Sequence, residues 1–241
     1  MLDIRRSRAR GSRPSGLTAG PTFVGRVDKL SLILRGTAKT AWWGIEHYPV
    51  VRSAAECAQP CVVVEAGAHQ GTLALLAAKL NCTVYAFDSI LRHLRIARSN
   101  LEMNSIPSGR VFFTHKKLGV ANGSRLDELV PSGVRISLLK MDIDGMDAIA
   151  MRGASGLITA SGIDVIHVEF SPYKHMASAG ISDVDYLNEL HAKGFEAYLD
   201  NCYKAGQPRL EEEISRTLKG MRCLAIVGAD QKQDEQIMLN C

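Results

Sequence analysis

Short apolar runs alternate along the chain with longer segments of helical periodicity. The run Val62-Val63-Val64 is followed by Glu65, by the glycines Gly67 and Gly71, and then by Thr72–Ala78, a stretch of good helix formers. A continuous β-branched run predicts a strand buried on both faces, and the Ala/Leu stretch predicts a helix. A strand, a glycine turn and a helix in this order are expected to direct free backbone N–H groups and the positive end of the helix dipole toward a ligand.

The same alternation continues along the chain. It predicts strands near 61–65, 83–87, 111–114, 137–142, 165–170, 195–200 and 223–227. It predicts helices near 72–80, 90–104, 146–159 and 184–193. Strands that alternate with helices indicate an α/β protein with a doubly wound, mostly parallel sheet of seven strands and helices on both faces.

Composition divides the chain into three parts. Residues 1–21 are rich in Arg, Ser, Gly and Pro, which predicts a disordered basic tail, and this composition is also typical of an organelle transit peptide. Residues 22–59 are predicted to form an N-terminal helical or lid segment, with a helix over Val27–Leu34. In this segment, Trp42-Trp43 either covers the site or anchors the segment on the core. Residues 60–241 form the predicted main domain.

Charge and cysteine content narrow the partners and the compartment. The net charge is +4, but residues 1–26 carry six Arg against one Asp, so the remainder is about −1. A near-neutral body argues against a nucleic acid partner. No apolar run approaches the roughly 18 residues of a membrane span. The six cysteines have no regular metal-ligand spacing, which predicts free thiols in a reducing compartment and a cytoplasmic protein. The oligomeric state stays open.

Two further strands end in carboxylates. The predicted strand Thr83–Asp88 ends about 20 residues after the glycine turn, where an acid is placed to hold a ribose diol. The strand before Gly145 ends in Asp142 and Asp144. In open α/β sheets, ligands bind beyond the carboxyl ends of the strands. We therefore expect one ligand site to be formed by the residues at these ends: Glu65, Gly67, Gly71, Asp88, Asp142 and Glu169.

The order of these motifs resembles that of class I S-adenosylmethionine (SAM)-dependent methyltransferases. The segment Lys140–Gly145 is similar to the K-x-D-[IV]-[DE]-G motif of the FkbM type. Other segments that fall in the order of that family are Tyr85–Asp88, Arg125–Leu129, Met151–Ala154 and Val165–Glu169. The resemblance covers roughly residues 60–200. The chain departs from the family by one methylene at three acids, with Glu65 for the usual Asp and Asp88 and Asp144 for the usual Glu.

The resemblance implies a Rossmann-like class I methyltransferase fold with SAM as the cofactor. In that fold Glu65 would accept from the ammonium of the cofactor and Asp88 would grip its ribose. The full set of cofactor-binding residues implied by the resemblance is Glu65, Gly67, Ala68, Gly71, Asp88, Ser89, Leu118 and Asp142. The implied reaction is O-methylation of a hydroxyl on a sugar, glycan or secondary metabolite, so the expected partner is a small-molecule or glycan acceptor.

A hydroxyl acceptor must lose a proton, which calls for a base within hydrogen-bond reach. We take Asp142, Glu169 and His69 as the catalytic candidates, while Asp142 is equally suited to bind cofactor or to cap the next helix. His167 alternates with apolar residues, which favours a core position. No metal is predicted, although the oxygen ligands of Asp142, Asp144 and Glu169 would suit Mg²⁺ as an alternative.

Three other functions remain as alternatives. An NAD-dependent oxidoreductase has a similar architecture, but its G-x-G-x-x-G fingerprint needs a middle glycine that this turn lacks. A non-catalytic SAM-binding scaffold would keep the same carboxylates. An amino methyltransferase would carry an Asn/Asp-Pro-Pro-aromatic motif, and the residues Met141–Asp144 do not match it.

Overall fold

Two β-sheets organise the protein, for which a computed structural model describes residues 3–7, 22–27, 29–35, 47–170, 180–199 and 222–228. The smaller sheet is antiparallel and contains β1 (Asp3–Ser7), β2 (Thr22–Val27) and β3 (Leu30–Arg35). The strands of the larger sheet are β4 (Val62–Ala66), β5 (Thr83–Asp88), β6 (Val111–His115), β7 (Ile136–Met141), β8 (Ile163–Phe170), β9 (Phe195–Leu199) and β10 (Arg222–Gly228).

The larger sheet has the strand order β6-β5-β4-β7-β8-β10-β9. Its neighbouring strands from β6 to β8 pair in parallel, whereas β10 pairs antiparallel with both β8 and β9. The α/β class and the parallel sheet predicted from the sequence are confirmed. Chain order reverses beside β4, so the carboxyl ends of β4, β5 and β7 meet at the switch point where ligands bind in such sheets.

The helices are α1 (Tyr48–Cys57), α2 (Thr72–Lys79), α3 (Leu91–Met103), α4 (Leu126–Leu129), α5 (Asp147–Arg152) and α6 (Asp183–His191), with a π-helical turn at Leu157–Ser161. The helix predicted over 146–159 is therefore interrupted. A Cβ on Gly153 would lie 2.1 Å from the carbonyl oxygen of Gly119, so the helix ends where two chain segments touch.

Side chains from successive strand residues pack on opposite faces of the sheet. Val63 belongs to an apolar cluster that includes residues of α1, α2 and α3, such as Leu94. Val64 belongs to a second cluster with residues of α4, α5 and α6, such as Met151 and Leu190. Because both faces are covered by helices, the central strands are apolar on both sides, as their sequence predicts.

The helix predicted over Val27–Leu34 is wrong, because this region forms the hairpin of β2 and β3. Leu32 and Leu34 are completely buried while Ser31 is exposed, which is the two-residue period of a strand. The disorder predicted for residues 1–21 is likewise wrong for Asp3–Ser7, which pairs with β2 as β1. The rest of 1–21 and Trp42-Trp43 lie outside the described residues.

The edge of β3 is closed by asparagine side chains from α3. The backbone N–H groups of Ile33 and Arg35 donate to Asn104 Oδ1 (2.9 Å) and Asn100 Oδ1 (2.7 Å). Asn100 also donates to the carbonyl oxygen of Gln70 at 2.9 Å. Asn100 thus connects the small sheet to the glycine turn after β4, a connection that sequence periodicity does not reveal.

The expectation of free thiols is wrong for Cys61 and Cys82, which form a disulfide. Each directly precedes one of two paired parallel strands, and the register Val62↔Thr83 sets them opposite each other. Their sequence separation of 21 gives no sign of this proximity. A disulfide is typical of oxidising compartments, so the cysteines no longer support a reducing one. Within the described ranges, no helix has the length and hydrophobicity needed to cross a membrane.

Candidate functional site

A cavity of about 510 Å³ opens at the carboxyl ends of β4, β5 and β7. Its volume lies in the range of small-molecule sites, roughly 300–1,000 Å³. Eight residues of the predicted site line it: Glu65, Gly67, Ala68, His69, Asp88, Ser89, Leu118 and Asp142. The strand-end argument therefore brought together most of the residues that it named.

The turn after β4 is packed tightly against β5 and β7. Gly67 has a φ of +87°, and a Cβ at this position would lie 1.9 Å from the carbonyl oxygen of Asp142. Only glycine fits this conformation and this contact. The N–H groups of Gly67 and Ala68 both donate to the carbonyl oxygen of Phe87 at 2.9 Å. These two groups are engaged within the protein, so the expectation that they point at a ligand is wrong.

Asp88 connects the turn after β4 to the loop after β5, and residues of both line the cavity. Its Oδ2 accepts from the His69 N–H and its Oδ1 from the Ile90 N–H, each at 2.7 Å. The side chain of His93 approaches the same carboxylate, with Nδ1 3.3 Å from Oδ1. Each carboxylate oxygen has a second lone-pair direction, so these bonds leave the group able to accept from a ligand. The structure thus gives Asp88 a structural role alongside its predicted ribose-binding role.

Glu65 is a buried carboxyl group with an unsatisfied oxygen. The residue is 2% exposed and lines the cavity, and its Oε2 has no hydrogen-bond partner among the described residues. Burial raises the pKa of Glu65 to about 8, although the positive charge of Lys140 counteracts part of this effect. Leaving a polar atom buried without a partner costs stability, so such atoms are typical of sites that receive a ligand.

Lys140 lies between the acids of the cavity. Its side chain is 6% exposed, and its Nζ donates to Asp142 Oδ2 and to the carbonyl oxygen of Gly67, both at 3.3 Å. The side chain of Asp142 is 37% exposed and faces the same cavity. Lys140 was quoted only as part of a motif in the sequence, and its position in the cavity lining makes it a candidate binding residue that sequence reasoning did not select.

The loop after Asp142 is held by a second buried carboxylate. Asp147 is 1% exposed and its Oδ1 accepts from the Ile143 N–H at 3.3 Å. Burial raises the pKa of Asp147 to about 6. Between these residues, Asp144 has a φ of +51° and lines the cavity. Asp147 thereby fixes the turn that carries Asp144 to the site.

His69 is placed at the cavity by a left-handed backbone conformation, with a φ of +46°. Its ring packs edge-on against that of His93, with centroids 4.4 Å apart. Burial lowers the pKa of His69, and the neighbouring His93 lowers it further. A lowered pKa favours the neutral imidazole, which is the form that accepts a proton.

Among the predicted site residues whose side chains are described, Gly71 does not line the cavity. Gly71 begins α2 with a φ of +74°, and a Cβ there would lie 2.7 Å from the Cβ of Ala97 on α3. Its evident task is close helix packing. Glu169 lies near the end of β8, where it pairs with Cys223 of β10, and its side chain falls outside the described part of the chain. The catalytic role of Glu169 stays a prediction.

Other residues that line the cavity were not selected from the sequence. They include His47, Thr72, Phe87, Ile90, His93, Lys116, Lys117 and Met146. His47 is 6% exposed, and its ring centroid lies 4.9 Å from that of His167. His47 lies within residues 22–59, the segment that was predicted to be helical or to act as a lid. Lys116 and Lys117 follow β6, and the carboxyl-end rule, applied to that strand as well, would have found them.

Two segments quoted for the family resemblance, Arg125–Leu129 and Met151–Ala154, are connected by a hydrogen bond of Asp127. The Asp127 carboxylate accepts from the N–H groups of Gly156 (3.1 Å) and Leu157 (2.8 Å), and the Asp127 N–H donates to the carbonyl oxygen of Gly153 at 3.1 Å. Asp127 therefore joins Arg125–Leu129 to the chain that follows α5. These hydrogen bonds give the two segments a structural role in the fold. They do not place either segment at the cavity.

Among the described residues, no group of three His, Cys, Asp or Glu side chains is placed to hold a metal ion. The alternative magnesium site requires Glu169, whose side chain is not described. Asp142 and Asp144 by themselves do not supply the six to eight oxygen ligands that calcium takes, nor the near-octahedral set of magnesium.

Solved SAM-dependent methyltransferases share this fold. The chain is similar to one from Agrobacterium tumefaciens at a TM-score of 0.57 and 10% identity, over 90% of this chain and 73% of that one. A protein described as an rRNA methylase from Clostridium thermocellum gives 0.52 and 14%, over 76% and 93%. A protein described as a methyltransferase from Streptococcus mutans, solved with SAH, gives 0.51 and 14%, over 76% and 97%.

No protein-family model matches the sequence, and no curated protein matches it. At these identities the structural similarity establishes the fold of class I methyltransferases and leaves the activity open. The exclusion of nucleic acid in favour of a small-molecule or glycan partner must be corrected. A protein described as an rRNA methylase shares the fold, so neither the architecture nor a near-neutral average charge excludes such a partner.

Proposed function

We propose that this protein is a SAM-dependent methyltransferase and that SAM binds in the cavity at the ends of β4, β5 and β7. The observation that carries the proposal is the buried carboxyl group of Glu65, which belongs to the cavity lining and whose Oε2 has no hydrogen-bond partner among the described residues. SAM is a cation at its sulfonium and at its ammonium, and a buried carboxylate is a suitable partner for the ammonium. The fold shared with methyltransferases, one of them solved with SAH, supports the same assignment.

The residues present fit the parts of the cofactor. Asp88 would hold the two ribose hydroxyls, since its oxygens retain accepting capacity beside the two backbone N–H groups that they already accept from. Lys140 would pair with the carboxylate of the methionine moiety while it screens Glu65 and Asp142 from each other. Gly67 lets the turn pack directly against the backbone of Asp142, since a side chain there would collide with the Asp142 carbonyl oxygen, and this packing would hold Asp142 beside the cofactor.

When bound, SAM supplies an electrophilic methyl group on a sulfonium. The protein then has to align an acceptor and remove its proton. Asp142 and His69 line the cavity and are our candidates for the base. His69 is favoured in its neutral form, and Asp142 is oriented by the ammonium of Lys140. The hydroxyl oxygen would bond to the methyl carbon, the carbon–sulfur bond would break, and the hydroxyl proton would pass to this base.

The finer parts of the proposal rest on the motif resemblance. The similarity of Lys140–Gly145 to the FkbM motif supports that type, and with it transfer to a sugar-borne hydroxyl. We include in the proposal the complete doubly wound architecture of seven strands, which the strand order and the two apolar clusters support. The domain limits at 21 and 59 stay part of the same proposal.

Calorimetric titration of the purified protein with SAM, SAH and NAD tests this function directly. We expect SAM and SAH to bind with micromolar affinity and NAD not to bind. Asp88→Asn should weaken SAM binding at least tenfold, because one acceptor oxygen is replaced by a donor. Asp164→Asn is the matched control, since Asp164 pairs with Arg135 away from the cavity, and it should change the affinity less than twofold.

Either of two results would refute the proposal. A folded sample that binds neither SAM nor SAH would leave only the fold of a methyltransferase. Binding of NAD alone would indicate that the glycine turn binds a dinucleotide, as in the oxidoreductase alternative. Binding of SAM without turnover on any acceptor would instead favour the scaffold alternative.

A further inference from the structure

Positive charge is concentrated in one stretch of the chain beside the cavity. Residues 89–126 contain seven Lys and Arg against the single acid Glu102, a net charge of +6, although the whole chain carries only +4. This stretch covers α3, β6 and the loops that follow β5 and β6. The near-neutral net charge of residues 27–241 therefore combines a strongly basic stretch, residues 89–126, with acidic residues elsewhere in that part of the chain.

Five of these cations lie on α3 or directly after β6, and we call them the basic rim: Arg92, Arg95, Arg98, Lys116 and Lys117. Lys116 and Lys117 line the cavity itself. The three arginines are exposed on α3, the helix whose His93 also lines the cavity. The guanidinium of Arg98 lies 5.8 Å from the ring centroid of Phe113, so α3 packs against β6, the strand that Lys116 and Lys117 follow.

The inner part of the cavity has the opposite charge. Its lining includes four acids, Glu65, Asp88, Asp142 and Asp144, which we call the acidic wall. Burial raises the pKa of Glu65 to about 8, which keeps it mostly protonated at pH 7, and Lys140 lies beside Asp142. Repulsion of a phosphate group therefore comes from Asp88, Asp142 and Asp144. The basic rim would attract the same phosphate group. An anionic polymer would therefore stay on the rim and could send only an uncharged part, such as a sugar hydroxyl, toward the acids.

We propose that the basic rim binds the phosphate backbone of single-stranded RNA and presents a ribose of that strand to the cavity. RNA would thus be the acceptor of the proposed methyltransferase. This inference rests on the proposed function, because that function identifies the cavity as the SAM site. The ribose of RNA carries a free 2′-hydroxyl, which is a sugar-borne acceptor.

Apolar surface at the cavity entrance supports a single strand over a duplex. Ile90 is 49% exposed and lines the cavity, and Leu91 beside it is 38% exposed. Exposed apolar side chains next to cations favour contact with unpaired bases, whose faces are hidden in a duplex. Both residues directly precede Arg92, so apolar and basic groups are neighbours at the same entrance.

Fluorescence anisotropy with a 5′-fluorescein-labelled 12-nucleotide oligouridylate tests the inference on the full chain. Five phosphate contacts predict a slope of about −3.5 in a plot of log affinity against log salt, which weakens binding about a hundredfold between 50 and 200 mM KCl. The double variant Arg92→Glu/Arg95→Glu should weaken binding at least tenfold at 100 mM KCl. Neither residue lines the cavity, so SAM affinity should stay within twofold of the wild type.

The matched control is Lys29→Glu/Lys193→Glu, which makes the same change of charge at two exposed positions outside the rim. RNA affinity in this control should stay within threefold of the wild type. Equal losses in both double variants would overturn the inference, since binding would then follow net charge alone. Absence of RNA binding at 50 mM KCl would overturn it as well, as would tighter binding to vesicles with 30% phosphatidylserine than to the oligonucleotide.

The failures of the two proposals are distinguishable. A protein that binds SAM but not the oligouridylate keeps the proposed function and loses this inference. A protein that binds the oligouridylate with the expected slope but not SAM keeps the RNA surface and loses the proposed function.

Discussion

The acidic wall and the basic rim border the same cavity but are fixed in different ways. The acids follow the ends of three central strands, and Glu65 and Asp88 are buried. Asp88 is immobilised by two short hydrogen bonds from backbone N–H groups. The arginines of the rim are exposed on a helix at the edge of the sheet. The comparison suggests a rigid part for a small cationic ligand and an adaptable part for a long anionic one.

The two regions also differ in what holding their charge costs. Burial of Glu65 disfavours its charged form and lowers the stability of the folded protein, whereas exposed arginines keep their hydration. A folded protein that keeps an unsatisfied buried carboxyl group gives up stability at that position. We interpret that loss as the consequence of keeping a binding site ready for a cation.

The substitution Gly67→Ala should have the largest effect and should break the acidic wall. Its Cβ would fall 1.9 Å from the carbonyl oxygen of Asp142, and alanine is strained at a φ of +87°. We expect a loss of about 3 kcal/mol or more in the free energy of unfolding, measured by urea denaturation, and no measurable SAM binding. Gly109→Ala is the control, because nothing lies within 4 Å of a Cβ there.

If the Gly67→Ala variant is as stable as Gly109→Ala and binds SAM normally, the close packing of the turn against β7 is not what shapes the wall. RNA binding by the folded fraction should survive the substitution, because the basic rim lies on α3 and after β6. Loss of RNA binding in a folded variant would show that the two regions are a single unit.

The substitution Glu65→Gln should have an intermediate effect. It separates the contribution of Glu65 to protein stability from its contribution to SAM binding. The pKa of Glu65 is raised from 4.5 to about 8, so the folded protein binds more protons than the unfolded protein between these pH values. The contribution of Glu65 to stability therefore declines as the pH rises from about 4.5 to 8. The glutamine variant should lack this decline and gain about 3.5 kcal/mol relative to the wild type between pH 5 and pH 8, since one pKa unit corresponds to about 1.4 kcal/mol.

The same variant should bind SAM roughly 10- to 100-fold more weakly, since a charge-assisted hydrogen bond is replaced by a neutral one. Titrations at pH 7 in phosphate and in Tris should show release of about one proton per SAM in the wild type and none in the variant. Identical binding enthalpies of the wild type in the two buffers would mean that Glu65 is not the partner of the ammonium.

The contrast between the regions also explains what the sequence made predictable. Glycines and acids at strand ends are local signals, and Glu65, Gly67, Asp88 and Asp142 were found because parallel strands end at one edge. The cations of the basic rim come from separate segments of the chain, so no short sequence motif marks them. Lys116 and Arg92 are brought together by the pairing of β5 with β6, and averaging the charge over the chain cancelled their signal against distant acids.

Other differences arise from tertiary contacts that periodicity does not contain. Val27–Leu34 satisfies a helical stripe and an alternating strand pattern equally, and the choice was made by asparagines of α3 that close the edge of β3. The disulfide of Cys61 and Cys82 follows from strand register, and the end of α5 follows from the contact of Gly153 with Gly119. In each case the deciding partner lies far away in the sequence.

Arg98 offers the smallest and sharpest test, because its guanidinium has both a structural contact and a proposed phosphate contact. Its Nη2 lies 3.4 Å from the carbonyl oxygen of Phe113, whose ring it also covers. Arg98→Gln should reduce the salt slope of oligouridylate binding by about 0.7 and cost less than about 1 kcal/mol of stability. Arg98→Lys keeps the charge and should keep most of the slope, while the stacking on Phe113 weakens. If both variants lose the slope equally, Arg98 acts by fixing β6 against α3 and not by meeting a phosphate. The phosphate contacts of the basic rim would then come from Arg92, Arg95, Lys116 and Lys117. Its expected slope would fall to that of four contacts, about −2.8.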